Sequence, residues 1–426
     1  MHAADREPAG PTEEDFPLRG SLLRGTSWMT AALGGRVALQ ALMFLLVARA
    51  LGAGEFGQFA AALAVTTIVL PFAAIGMGNV LVMRVARDPA VLGHYWRAGL
   101  LTLALTAPLL TVLVLLVGSL LLPGVPASVF LGVCVSELLF VRIVDLSAQA
   151  FQASDRMASM AALIFGAALA RTLAALLLTI SILSPSATSW AAWYTAAAFL
   201  SAVISVIAVR QSLRPGGALT HPSSADLREG AYFALGLSAS GVFTDADKAL
   251  VARIDSFEAA GAYTAGYRVV SFSFVPVLAM LHTTYAGFFR AGSHGVRSSW
   301  HFARSLLPKA VGYSLVVAVG LVLIAPAIPR ILGSDYEPAV ETIRILAVLP
   351  LLQTLSYIAG DALMGAGHQR LRALLLWVGA AVSVVGALVL IPPFGATGAA
   401  LATLLASGLL VVAMWLAIAR LREVDA

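Results

Sequence analysis

Apolar stretches of about 20 residues recur along nearly the whole chain, and short polar breaks separate them. Each is long enough to cross a bilayer core of about 30 Å. In hydrocarbon the backbone must satisfy its own hydrogen bonds, so these stretches are read as helices. About twelve emerge: 27–50, 56–80, 98–122, 128–150, 157–182, 189–210, 231–253, 260–288, 307–329, 339–363, 371–391 and 397–419. The expected fold class is an all-α polytopic membrane protein.

Composition agrees. Of 426 residues, 60% are hydrophobic and 12% charged, which is unlike a soluble domain. With the amino terminus inside, the inner loops collect most of the arginines, including Arg84, Arg87, Arg97, Arg156, Arg210, Arg214, Arg297 and Arg304. The outer side receives only Arg49, Arg253 and Arg330. That bias places both termini in the cytosol. The net charge of +5 is therefore an orientation signal. No loop joins a long basic patch to aromatics, so nucleic acid is not an expected partner. Residues 1–19 are polar and acidic and are expected to form a disordered cytosolic tail. The single cysteine, Cys134, rules out an intrachain disulfide.

One pattern occurs twice. Leu46-Val47-Ala48-Arg49 is followed after seven residues by Gly57-Gln58-Phe59-Ala60. Leu250-Val251-Ala252-Arg253 is followed after the same gap by Gly261-Ala262-Tyr263-Thr264. Each copy lies at the junction of two apolar segments near the start of one half of the chain. Such repeats mark transporters built from two bundles that rock against each other. The expected division is an N-terminal six-helix bundle at 20–214, a cytosolic linker at 215–225 and a C-terminal bundle at 226–426. Gly57 and Gly261 would permit close helix approach. Arg49 and Arg253 would anchor helix ends at the outer interface, or else contact substrate. Pro71 and Pro276 fall at nearly matching positions, where each predicts a kink.

At this point the residues resemble a known family. Ala48-Arg49-Ala50-Leu51-Gly52-Ala53-Gly54-Glu55-Phe56-Gly57 is similar to the first helix junction of Wzx-like polysaccharide-export flippases. These belong to the multidrug/oligosaccharidyl-lipid/polysaccharide (MOP) exporter superfamily. Asp247 through Arg268 resembles that family's seventh–eighth junction, and Gly395 through Thr403 its penultimate outer loop and last helix. The resemblance implies a flippase that carries a polyprenyl-diphosphate-linked oligosaccharide to the outer leaflet by alternating access. It also implies a bacterial cytoplasmic (inner) membrane location. The implied partners are the lipid-linked oligosaccharide, membrane lipids and polysaccharide polymerases or other assembly proteins, with no cofactor.

Ionisable groups inside apolar spans are costly, so they face an aqueous cavity or pair with each other. Arg142/Asp145, Asp245/Lys248 and Glu341/Arg344 are spaced three apart, which allows pairing on one helix face. Arg36, Arg171 and Arg268 have no opposite charge at helical spacing. They are candidates for the cavity, or for interhelical pairing with Glu137 or Asp247. The candidate substrate-binding set is Arg36, Gln40, Arg171, Lys248 and Arg268. The guanidinium fork suits diphosphate because it donates two parallel hydrogen bonds. Asp245, Asp247 and Asp361 are candidates for an ion-sensitive step.

A drug exporter of the same superfamily is the main alternative, but its cationic cargo would favour acidic over basic cavity residues. An enzyme of polysaccharide assembly would need a sizeable outer loop, and the outer loops here are short. No GxxxxGK[ST] loop is present. His282 lies in a span without a second ligand at helical spacing, so no metal site is expected.

Overall fold

The structure, a computed structural model, describes residues 19–181, 184–216, 222–293 and 295–424. Every element among them is helical. One continuous stretch, Arg19–Val69, leaves helical geometry only at Gly52 (φ 72°, ψ 172°). A straight helix of its 51 residues would measure about 77 Å, far more than a bilayer core. The chain therefore turns at Gly52, giving α1 (19–51) and α2 (53–85, including Met77–Val85). The other end of the chain repeats the device. Gln369–Val424 breaks only at Gly395 (φ 57°, ψ −140°), giving α11 (369–394) and α12 (396–424). Both turns need a positive φ, which glycine adopts without the Cβ penalty.

Between them lie α3 (Leu92–Leu121), α4 (Ala127–Ala153), α5 (Met157–Ile180), α6 (Ala187–Ser212) and α7 (Ser224–Ile254). There follow α8 (Phe257–Ser273, then Val275–Gly292), α9 (Val296–Ile324) and α10 (Pro338–Leu346, then Leu349–Gly365). Polar caps start several of these helices. Ser186, Ser223 and Ser256 accept from backbone amides at the heads of α6, α7 and α8. Wide belts of exposed leucine and valine, such as Leu109 on α3 and Val316 on α9, face where lipid would be.

By length and apolarity alone, seven described stretches qualify as spans, or eight with the bent pair that forms α10. Two of them are the stretches that turn at Gly52 and Gly395. Helix α7, which carries Asp245, Asp247 and Lys248, and helix α8, interrupted at Phe274, are not among them. The twelve expected segments are thus all present among the described residues.

Three local features differ from expectation. Pro392 and Pro393 fall between the expected segments 371–391 and 397–419, but they lie inside helical geometry and only Gly395 departs from it. Keeping the turn to one residue leaves few backbone groups unpaired in lipid. Helix α4 contains a π-helical turn, Val135–Val141, that no sequence pattern announced. Pro71 and Pro276 do lie at helix breaks, but the first break is a full interruption with Ile75 and Gly76 at positive φ. The middle of the expected linker (217–221) and nearly all of the expected tail (1–18) fall outside the described residues.

In the first half, α1 packs on α5, and α4 packs on α5 and α6. In the second, α7 packs on α11 and α12, and α10 packs on α9 and α11. The halves meet through α1 and α2 on one side and α7 and α8 on the other. At this seam the repeat becomes physical. A Cβ on Gly57 would lie 1.8 Å from the Phe257 carbonyl oxygen. A Cβ on Gly261 would lie 1.9 Å from the Ala53 carbonyl oxygen. Residues 53 and 57 correspond to 257 and 261 in the repeat, so the contact is reciprocal, as at a two-fold interface.

Candidate functional site

A cavity of about 170 Å³ lies between the halves, beneath the glycine crossing. Helices α1 and α2 supply Gln40, Phe44 and Phe59, while α5 and α6 supply Arg171, Trp190 and Tyr194. The opposite wall carries Asp245 and Lys248 from α7 and Thr264 and Arg268 from α8. Among the described residues, three cations and one carboxylate therefore line it.

Each cation is held differently. Lys248 is buried, with Nζ 3.1 Å from Asp245 Oδ1 and 3.3 Å from Asp247 Oδ1, and it lies 3.9 Å from the centre of the Tyr267 ring. It also donates to the Thr244 carbonyl. Arg171 places its guanidinium 5.5 Å from the Tyr194 ring centre, and its Nε is buried without a hydrogen-bond partner among the described residues. Tyr194 in turn donates to Glu137, which the π-helical turn of α4 presents. The interhelical Arg171–Glu137 relation anticipated from sequence is thus bridged by a tyrosine. Arg268 forms no ion pair or hydrogen bond with the described residues. Thr264 Oγ1 is buried on the cavity wall and also lacks a partner.

Behind Lys248, Asp247 is 3% exposed and does not line the cavity. Its Oδ2 accepts from Tyr263 (2.5 Å) and Thr403 (3.2 Å), and its Oδ1 accepts from the Lys248 amide (2.8 Å). Arg36 is not on the cavity wall either. It sits one helical turn from Gln40, roughly 6 Å further along α1. Asp361 does not line the cavity; it lies on α10, 3.9 Å from Arg372. The expected Arg142–Asp145 pair forms at 2.6 Å. Glu341 and Arg344 are both exposed and do not come within pairing distance, so that helix end is simply solvated. The His282 side chain lies outside the described residues, and among those described no three His, Cys, Asp or Glu residues converge on a metal position.

Sequence reasoning missed Trp190, Tyr194 and Thr264. A signal existed for one neighbour: Phe59 and Tyr263 are repeat partners, and Phe59 stacks edge-on against both Trp190 (5.9 Å) and Tyr194 (5.5 Å). The aromatics themselves look like ordinary helix packing.

The cavity is sealed at the Gly52 end. Arg49 Nη1 donates to the Ile331 carbonyl (2.8 Å), and the Tyr336 hydroxyl donates to the Ala48 carbonyl (2.7 Å). Along the α2–α7 seam, Ser238 donates to the Ile68 carbonyl (2.9 Å) and Gly76 packs backbone-to-backbone on Gly230. At the far end of that seam Arg84 bridges Asp226 (2.9 Å) and Glu229 (3.1 Å). The α1–α8 seam is different. Phe44 meets Phe272 at 6.2 Å, but beyond it, among the described residues, helix 19–69 does not pack broadly on Val275–Gly292.

The family described as polysaccharide biosynthesis protein matches residues 22–285. No curated protein sequence gives a significant match. Three solved structures share the fold at low identity. One is a multidrug resistance MATE family transporter of the MOP superfamily in an inward-facing conformation. It has TM-score 0.75 and 13% identity, covering 92% of this chain and 96% of that one. Another is the lipid II flippase MurJ in an inward closed conformation, with TM-score 0.73, 12% identity and coverage of 92% and 87%. A third is a MOP superfamily transporter from Pyrococcus furiosus, described as having a binding pocket of reverse polarity. Its TM-score is 0.59, with 13% identity and coverage of 94% and 96%. The fold is that of the MOP transporters, and the chain, a multi-pass membrane protein, belongs to the polysaccharide biosynthesis protein family.

Proposed function

We propose that this protein is a flippase for a polyprenyl-diphosphate-linked oligosaccharide, moving the head group from the cytosolic to the outer leaflet. The observation that carries this reading is the lining of the inter-half cavity. Arg171, Lys248 and Arg268 converge on it from both halves, opposed among the described residues by one carboxylate, Asp245. Passage of a diphosphate through hydrocarbon is prohibitive, and a cationic path removes that barrier. Arg268 pairs with no carboxylate among the described residues, so its fork is available for a phosphate. Gln40 and Thr264 would complete the donors. Arg36, one turn further along α1, would receive the head group before it reaches the cavity.

The cavity is smaller than the 300–1,000 Å³ usual for ligand pockets. It holds phosphates but not an oligosaccharide, so the sugars enter only when the halves separate. The moving units in this account are 20–214 and 226–426, joined by 215–225. The basic-residue bias puts the Arg84 end and both termini in the cytosol of a bacterial inner membrane. The side on which a lipid-anchored head group enters, while its tail stays in the bilayer, is the α1–α8 seam beyond Phe272, where helix 19–69 does not pack broadly on Val275–Gly292. Asp245 and Asp247, which neutralise Lys248, are the groups through which an ion would act. Asp361 would act on its own, at Arg372.

A drug exporter of the same superfamily is disfavoured by the excess of cations on the cavity wall. The test is reconstitution in proteoliposomes with two probes, a fluorescent polyprenyl-diphosphate sugar and a cationic dye. The lipid probe is expected to cross and the dye not to. Dye transport without lipid transport would overturn the reading.

A further inference from the structure

A second and larger cavity, about 640 Å³, lies away from the seam at the Arg84 end of the first half. Its wall is formed by the start of α3 and the end of α6. Arg97, Arg210 and Arg214 provide three cations, and among the described residues no acidic side chain lines it. Its floor is Trp96, buried against Val209 and Leu146. The chain is shaped locally to make this pocket. Arg214 sits at positive φ (44°), turning the backbone so that the Pro215 carbonyl accepts from Arg97 Nη2 at 2.5 Å. Gly93 allows the approach, since a Cβ there would lie 2.0 Å from the Gly216 carbonyl oxygen. One arginine is thereby fixed, while Arg210 and Arg214 stay exposed at the rim.

The pocket has an apolar exit. Leu100 and Leu101 line it, and Leu101 continues at helical spacing into Leu105 and Leu109, which are 59% and 71% exposed. On α6, Ile207 and Ile204 continue the rim above Arg210 and are likewise exposed. Helices α3 and α6 do not pack broadly on each other among the described residues, so the groove between them stays open toward the bilayer. A cationic pocket at a helix end that runs into a lipid-facing aliphatic groove matches one kind of ligand. The head is a phosphate and the remainder is acyl chain.

We propose that this pocket binds the phosphate headgroup of an anionic membrane phospholipid, with an acyl chain along the α3–α6 groove. The site is separate from the transport cavity. Its location on one half only means that the bound lipid travels with that half during rocking.

The test uses full-length protein in a neutral detergent, with native mass spectrometry during titration by phosphatidylglycerol or by phosphatidylcholine of the same chains. The variant is Arg210→Gln with Arg214→Gln, both exposed, which spares the fixed Arg97. The control is Arg297→Gln with Arg304→Gln, an equal loss of charge elsewhere on the same end. Wild type is expected to bind phosphatidylglycerol well above phosphatidylcholine. The pocket variant should lose that affinity by about tenfold or more, given the roughly 1 kcal/mol each basic residue contributes near anionic lipid. The control should bind as wild type. Unchanged binding by the pocket variant, or an equal loss in the control, overturns the proposal. A third arm adds millimolar inorganic pyrophosphate. If it displaces the lipid from wild type and binds the same two arginines, the ligand is a free phosphate and the lipid assignment is wrong.

Discussion

Gly57 and Gly261 face each other across the seam, each against the other helix's first-turn carbonyl, at hypothetical Cβ distances of 1.8 and 1.9 Å. The sequence repeat is therefore a contact as well as an echo. The two copies form the point about which the halves meet. Nothing larger than hydrogen fits there, because the opposing atoms are backbone and cannot rotate away.

Gly57→Ala and Gly261→Ala are accordingly expected to force the halves apart at the Gly52 end. Each should lower thermal stability by an amount on the order of 1–3 kcal/mol, the range for overpacking. Gly166→Ala on α5 is the control, since a Cβ there meets nothing within 4 Å among the described residues. Melting curves of the three variants in detergent check this. Equal behaviour of Gly57→Ala and Gly166→Ala would contradict it.

At the opposite end, Arg84 ties α2 to Asp226 at the start of α7. Burial works to raise the Asp226 pKa, but the hydrogen bonds from Ser223 and Arg84 outweigh it, and the pKa lies below its ordinary value. A depressed carboxylate stabilises the closed seam above its unfolded pKa and loses that effect as pH falls through the folded value. The seam should therefore stay tight at neutral pH and loosen only below about pH 4. Asp226→Asn should loosen it at all pH values. Thiol labelling of a Ser238→Cys reporter, buried at this seam, measures both effects.

Tyr263→Phe removes the 2.5 Å hydrogen bond to Asp247 and leaves a buried carboxylate with one donor fewer. The expected loss is about 1–3 kcal/mol of stability. A circular-dichroism melt reads it directly. Tyr267→Phe, whose ring still covers Lys248, should change stability far less.

The helices were legible because lipid leaves the backbone no alternative, so hydropathy alone marked them. The turns were less so. Gly52 could be read as punctuation, but Pro392 and Pro393 suggested a loop where the chain stays helical to Gly395. The Asp245–Lys248 pair and the cavity positions of Gln40, Arg171, Lys248 and Arg268 were open to reasoning, since an intramembrane charge has few places to go. Arg36 and Asp361 show the limit of that argument. One lies a turn beyond the cavity, and the other is placed beside Arg372 on α11. The π-helical turn that presents Glu137 to Tyr194 depends on packing between α4 and α6, which no single segment encodes.

The central claim is that the Arg171 and Arg268 guanidinium groups conduct a lipid diphosphate between the halves. The direct measurement is head-group translocation of a fluorescent polyprenyl-diphosphate sugar in proteoliposomes, comparing wild type with Arg171→Gln, Arg268→Gln and the double variant at matched reconstitution. Each single variant should slow translocation by about 30-fold or more, corresponding to roughly 2 kcal/mol for a truncated charge-assisted contact. The double variant should fall to the rate of empty vesicles. Translocation by the folded double variant at the wild-type rate would contradict the account.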